Sequence, residues 1–133
     1  MRRILIVDDD QKMTSLLEYF FKSEGYEVDI ANNGYAALSK ISKEPFDLVL
    51  TDFHMPGLTG LDILPKIKKL QPGVAVIVIT GLGSDEIRRR SLERGASAYV
   101  QKPINFYELK ALIDEVLSSN KKRVLEVRNH SVG

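Results

Sequence analysis

The chain has 133 residues, 44% of them hydrophobic and 28% charged, with 19 basic and 18 acidic side chains and no cysteine. That is the size and composition of one soluble globular domain with a real core. The net charge of +1 provides no electrostatic footprint for nucleic acid, and the missing cysteines exclude disulfides, thiolate catalysis and Cys-based zinc sites. Met1-Arg2-Arg3 opens like a signal n-region, yet the apolar run Ile4-Leu5-Ile6-Val7 ends at once on Asp8-Asp9-Asp10. It is too short for a signal h-region or a membrane span, so a reducing cytoplasm is the expected location and no membrane is expected.

Apolar runs alternate with helical periodicity along the whole chain, the pattern of a parallel sheet with helical crossovers. After the first strand, Met13, Leu16, Leu17, Phe20 and Phe21 recur at helical spacing, with Gly25 as the stop. Tyr26 to Ala31 reads as the second strand. Asn32 or Asn33 caps a helix carrying Ala36, Ala37, Leu38 and Ile41, with Pro45 beyond its end. Phe46 to Thr51 is the third strand, followed by a loop with Pro56, Gly57 and Gly60. A helix through Leu61, Leu64 and Ile67 comes next, with Pro65 out of place inside it. Pro72-Gly73 turns into the fourth strand, Val76-Ile77-Val78-Ile79, which ends on Thr80. Ser84 caps a polar fourth helix ending at Gly95; Arg88, Arg89 and Arg90 face solvent, and only Ile87 and Leu92 anchor it, so weak attachment is expected. Ala98-Tyr99-Val100-Gln101 is the fifth strand, and Asn105 with Glu108 forms an Asn variant of the capping box on the fifth helix. The fold class is α/β: a five-stranded parallel sheet, doubly wound with five helices. In the flavodoxin-like order 2-1-3-4-5, strands one and three meet at the switch point, so Asp8-Asp9 faces Asp52.

Four strand ends thus carry chemistry: Asp8-Asp9-Asp10, Asp52, Thr80 and Lys102-Pro103. In an open parallel sheet these ends line one edge. Two carboxylates about 4 Å apart repel by roughly 4 kcal/mol at an effective dielectric near 20. Three together need a proton or a cation, and oxygen ligands suit Mg²⁺, which takes one or two carboxylates, waters and phosphate oxygens. Lys102 supplies a point charge for a phosphoryl oxygen, Thr80 a hydroxyl donor, and an aspartate can itself accept a phosphoryl group.

Asp8-Asp9, Asp52 within T-D-F-H-M-P-G-L-T-G, Thr80-Gly81 and Y-V-Q-K-P at 99–103 together resemble the receiver domain of two-component response regulators, over Arg3 to about Ser118. The resemblance implies that Asp52 is the phosphoacceptor for a phosphohistidine on a sensor histidine kinase. It implies Mg²⁺ held by Asp9, Asp52 and the backbone carbonyl of His54, with Asp8 acting through water. Lys102 then pairs with the phosphoryl group, Thr80 turns to it, and Tyr99 follows from an exposed to a buried rotamer. Catalysis of phosphorylation and slow dephosphorylation is positioning plus electrostatics. The output is binding through helix four, strand five and helix five to a downstream domain or protein. The family also implies a cis Lys102-Pro103 bond. His54 departs from the commoner pattern, and its imidazole puts the dephosphorylation rate in question. Gly81 stands where Ala or Ser is frequent and resembles the nitrogen-regulator class.

Other readings stand beside this one. Asp10 is a helix cap rather than a ligand, Tyr99 is equally an aromatic packed at a sheet edge, and His54 and His130 lack partners at metal spacing. Asp8-x-Asp10, Thr80 and Lys102 loosely match a small Mg²⁺-dependent phosphatase of the haloacid dehalogenase type, with Asp8 as nucleophile. That reading leaves Asp52 idle and needs an acidic pair at a strand end, where Asp114-Glu115 lies in helix five. A non-phosphorylated adaptor is the third reading. Residues 1–118 form the receiver and 119–133 a tail. There Ile113, Leu117, Asn120, Val124 and Val127 follow heptad spacing for too few heptads, so a helix-five extension that dimerises and a frayed end stand equally. The chain is accordingly expected to be a monomer or a phosphorylation-dependent dimer.

Overall fold

The computed structural model describes residues 2–118. Five strands, β1 (Arg3–Val7), β2 (Glu27–Ala31), β3 (Leu48–Asp52), β4 (Ala75–Thr80) and β5 (Ala98–Gln101), alternate with five helices: α1 (Gln11–Ser23), α2 (Gly34–Lys43), α3 (Gly60–Leu70), α4 (Asp85–Glu93) and α5 (Phe106–Ser118). All pairings are parallel in the order β2-β1-β3-β4-β5, as the sequence predicts. The sheet is buried on both faces, which explains why its three central strands are continuous apolar runs instead of alternating ones. Ile4 and Ile6 point to a core shared with α1 and α5, while Leu5 and Val7 join the core under α2 and α3. That alternation is the period-two rule of a strand.

The helix ends follow local chemistry. Asp10 caps α1, its carboxylate accepting from the backbone N–H groups of Lys12 and Met13, and Asn33 caps α2 through the N–H of Ala36. Ser84 caps α4. The Asn105 side chain accepts from the N–H of Glu108, but the full reciprocal box lies elsewhere, between Thr59 and Asp62 at the start of α3. Three further expectations shift. β2 starts at Glu27, because the Tyr26 ring leaves the ladder for the α1/α5 core and its hydroxyl donates to Asp114. β3 runs one residue further than expected, so Asp52 closes the strand rather than following it. Leu16, counted with the apolar stripe of α1, is 53% exposed.

Pro65 does sit inside α3. Lacking an N–H, it leaves the carbonyl of Leu61 without the usual i+4 donor. The guanidinium of Arg94, at the C-terminal end of α4, donates to that carbonyl at 3.1 Å. The gap in one helix therefore tethers the end of another. Elsewhere α4 is lightly held, as expected: Ser91 is its sole fully buried residue, and Ile87 and Leu92 are half-buried. The Asn120, Val124 and Val127 part of the heptad pattern lies outside the described residues.

Replacing Arg94 with alanine should cost about 1 kcal/mol in urea unfolding, the usual worth of a hydrogen bond; this one is part-buried. In a Pro65→Ala background the restored N–H satisfies Leu61, so the same change should cost far less. An equal cost in both backgrounds would contradict the tether.

Candidate functional site

The C-terminal ends of β1, β3, β4 and β5 open on one edge, and the backbone there is fixed by specific bonds. The N–H of Phe53, just past β3, donates to the carbonyl of Ile79 at 2.7 Å and holds the end of β3 against β4. The chain then loops out and returns, so that the N–H of Gly60 donates to the carbonyl of Phe53 at 2.9 Å. A Cβ at residue 60 would lie 2.8 Å from the carbonyl oxygen of Asp52 and 3.1 Å from Cα of Phe53. Only glycine lets α3 begin so close to the strand. Thr59 and Asp62 lock that start by exchanging side-chain-to-backbone bonds of 3.2 and 3.0 Å. The role of Gly60 could be read in the sequence only as a turn signal; the close approach is a tertiary fact.

Three carboxylates meet at this edge. One oxygen from each of Asp8, Asp9 and Asp52 lies within 4.8 Å of the others. Asp8 and Asp52 are buried, and Asp9 is exposed. Asp8 is oriented from both ends: its N–H donates to the carbonyl of Ala31 at 3.1 Å, and its carboxylate accepts from the N–H of Asp10 at 3.0 Å. Lys102 reaches in from the end of β5, with Nζ 3.2 Å from Asp52 and 3.9 Å from Asp8. Its own N–H donates to the carbonyl of Thr80 at 2.8 Å, and the Lys102-Pro103 bond is cis, as the resemblance implies.

Burial decides the electrostatics. It pushes the Asp8 carboxyl up to about 6, with the charges of Asp52 and Asp9 adding and the bond from Asp10 and the Lys102 ammonium opposing. Burial also raises Asp52, opposed by Lys102 and His54. One ammonium thus faces three carboxylates, two of them desolvated. The donor set is oxygen alone, which fits a hard divalent cation such as Mg²⁺ and offers nothing to softer metals.

The other predicted residues divide. His54 is exposed and its ring lies edge-on to Phe53, with centroids 4.7 Å apart. His130 lies outside the described residues. Thr80 is fully buried at the end of β4, and its hydroxyl accepts from the N–H of Leu82 at 3.2 Å. Tyr99 lies with its hydroxyl already buried, whereas the resemblance implied an exposed starting rotamer. That hydroxyl has no hydrogen-bond partner among the described residues: the N–H of Ser84 approaches it outside hydrogen-bond geometry, and burial raises its pKa. The sequence singled out Thr80 and Tyr99 but missed the residue between them, Gly83.

The chain belongs to the response regulator receiver domain family, whose model matches residues 4–114. Its fold is close to that of a CheY-like receiver domain protein from Methanospirillum hungatei JF-1, with a TM-score of 0.87 and 40% identity over 92% of this chain and 98% of that one. The response regulator protein TrrA from Thermotoga maritima, solved in complex with Mg²⁺-BeF, gives a TM-score of 0.79 and 38% identity over 88% of this chain and all of the other. The transcriptional regulatory protein ZraR of Klebsiella oxytoca is 36% identical over 118 residues, 89% of this chain. The chain spans about a quarter of that relative's length, 27%.

A carboxyl raised by burial keeps its proton longer in the folded state than in the unfolded one. Its destabilising effect is absent below its ordinary pKa and complete above the folded value, near 6 for Asp8. Metal-free protein should therefore lose stability as the pH rises from about 4 to above 6 on account of this group. A bound divalent cation favours the ionised form, so the gain in Tm with Mg²⁺ should grow as pH rises through that window. Thermal melts with and without Mg²⁺ between these limits check it; a gain independent of pH would contradict the burial of Asp8 as the cause.

Proposed function

We propose that the chain is the phosphorylation-operated input of a two-component pathway, with Asp52 accepting a phosphoryl group from the phosphohistidine of a sensor histidine kinase. What carries this reading is the pairing of a buried Asp52 with Lys102 at 3.2 Å beside two further carboxylates. An oxygen of Asp52 attacks phosphorus in line, the P–N bond to the kinase imidazole breaks, and a P–O bond forms to give an acyl phosphate. Asp52 holds the line of attack because the strand end and Gly60 fix its backbone. Lys102 moves from balancing the free carboxylate to pairing with a phosphoryl oxygen, which needs no new charge in the crevice. Asp9, Asp52 and the carbonyl of His54 would hold Mg²⁺, with Asp8 through water; when bound, the ion neutralises phosphoryl oxygens.

Thr80 is the reporter. It ends the strand next to Lys102, and its hydroxyl is engaged by a single loop N–H from which it can turn to an incoming oxygen. Tyr99 and α4 carry the change outward. α4 suits this role because one end is tethered through Arg94 and little else is buried. The receiver unit is residues 1–118, with 119–133 a C-terminal tail or a helix-five extension and linker. The kinase is one partner, and the other is an output domain or protein reading α4, β5 and α5. The similarity to a quarter of a transcriptional regulator supports an output in the same polypeptide. The segment itself binds no nucleic acid, works in the cytoplasm and is a monomer or a phosphorylation-dependent dimer. No described helix is long and apolar enough to cross a membrane.

The phosphatase reading loses ground on geometry. Asp114, half of the acidic pair it needs, accepts from Tyr26 and Lys110 on α5. Asp52, which it leaves idle, is the carboxylate nearer to Lys102.

Incubation with acetyl phosphate and Mg²⁺, followed by mapping of the acyl phosphate, should place the label on Asp52, and Asp52→Asn should abolish it. A label on Asp8 would support the phosphatase, and no label in the intact chain would support an adaptor.

A further inference from the structure

Gly83 lies in the loop between β4 and α4, just before the cap Ser84. Its φ is outside the left-handed region, so its backbone does not require glycine. Space does. A Cβ there would lie 1.9 Å from the Tyr99 hydroxyl oxygen, 3.1 Å from Tyr99 Cζ and 3.1 Å from the methyl carbon of Thr80. The first distance is deep inside van der Waals contact. The tip of Tyr99 thus fills the volume of a side chain that residue 83 lacks. Gly81, two residues earlier, is different: a Cβ there would meet Cδ of Lys102 at an ordinary 3.6 Å.

The seat is a poor one for a phenol. The ring packs against the core under α2 and α3, which favours the inward position. Its hydroxyl is buried without a partner among the described residues, which opposes it. The two effects act against each other on one side chain, so a modest change decides where the ring lies.

We propose that Gly83 is a positioning residue of the switch: its missing side chain forms the inward seat of Tyr99, and the unpartnered hydroxyl keeps that seat shallow. The inference rests on reading Thr80 and Tyr99 as the switching pair. It adds that occupancy of the seat is set at residue 83, apart from the carboxylates and Lys102 that handle the phosphoryl group. Filling the seat should hold Tyr99 outward whatever the state of Asp52.

The test uses the full chain as wild type, Gly83→Ala, Tyr99→Phe and the double variant, with Gly81→Ala as control. Nitration by tetranitromethane, mapped by peptide, reads ring exposure against the exposed Tyr19 and Tyr107. In wild type Tyr99 should react more slowly than both. In Gly83→Ala its rate should rise about tenfold, equivalent to about 1.4 kcal/mol of lost inward preference, while Gly81→Ala leaves it unchanged. Acetyl phosphate should still label Asp52 in Gly83→Ala. The stability lost in Gly83→Ala should be largely restored in the Tyr99→Phe background, because the atom at 1.9 Å is gone. An unchanged nitration rate in Gly83→Ala, or an equal stability loss in the wild-type and Tyr99→Phe backgrounds, would overturn the proposal. If Gly83→Ala does not fold, folding of the double variant supports the seat and its failure overturns it. An unlabelled Asp52 in wild type would instead overturn the phosphoacceptor reading, on which neither the nitration nor the Tyr99→Phe cycle depends.

Discussion

The interaction on which this molecule turns is the desolvation of two carboxylates beside a single ammonium. Asp8 and Asp52 are buried at the edge of a parallel sheet with Asp9 alongside, and the ammonium of Lys102 opposes them. Burial disfavours the charged form, and like charges add to the effect. The metal-free crevice is therefore held in a state that any added cation improves. On the proposed function, a phosphoryl group arriving with a divalent ion would meet ligands already gathered, oriented and short of positive charge.

Holding such groups together takes a rigid frame, and the frame is local to the strand ends. β3 is pinned to β4 through Phe53 and backed by α3 through Gly60, so the backbone of Asp52 cannot retreat from its neighbours. Asp8 is fixed from β2 and from the first turn of α1. By contrast, the side of the site that faces β4 and β5 is loose. Thr80 is engaged by one loop N–H, Tyr99 sits with an unpartnered hydroxyl, and α4 buries little beyond Ser91. Rigidly held carboxylates on one flank and lightly held groups on the other suit the switch proposed, since low local stability is what lets an element respond. The bond from Arg94 to the carbonyl freed by Pro65 gives α4 one fixed end.

Much of this was legible in the residues. The doubly wound layers follow from apolar runs alternating with helical periodicity, because a buried parallel strand reads as a continuous run. The strand order, and with it the meeting of Asp8, Asp9, Asp52 and Lys102, came instead from the flavodoxin-like order and the receiver resemblance. The weak anchoring of α4 was legible in its three consecutive arginines. What the sequence did not give up depends on neighbours distant along the chain. Pro65 looked like an error in a helix until Arg94 supplied the missing donor. Gly60 looked like a loop residue and Gly83 went unnoticed, though one is required by the backbone of Asp52 and the other by the tip of Tyr99. Tyr26 left its strand for a partner on α5. The capping box was assigned to Asn105 and found at Thr59, since both carry the same local signal and only Thr59 is shown with the reciprocal bond.

The claim that burial of negative charge poises this crevice is tested most directly by the stability of Asp52→Asn without metal. The substitution keeps the shape and removes one desolvated charge, at the cost of its contact with Lys102. Equilibrium urea unfolding in a chelator at neutral pH should show the variant more stable than wild type by about 1 kcal/mol, since the desolvation relieved exceeds the ion pair lost. A clear loss of stability would mean that the Lys102 pairing dominates and that the metal-free site is content as it stands, contrary to the account given.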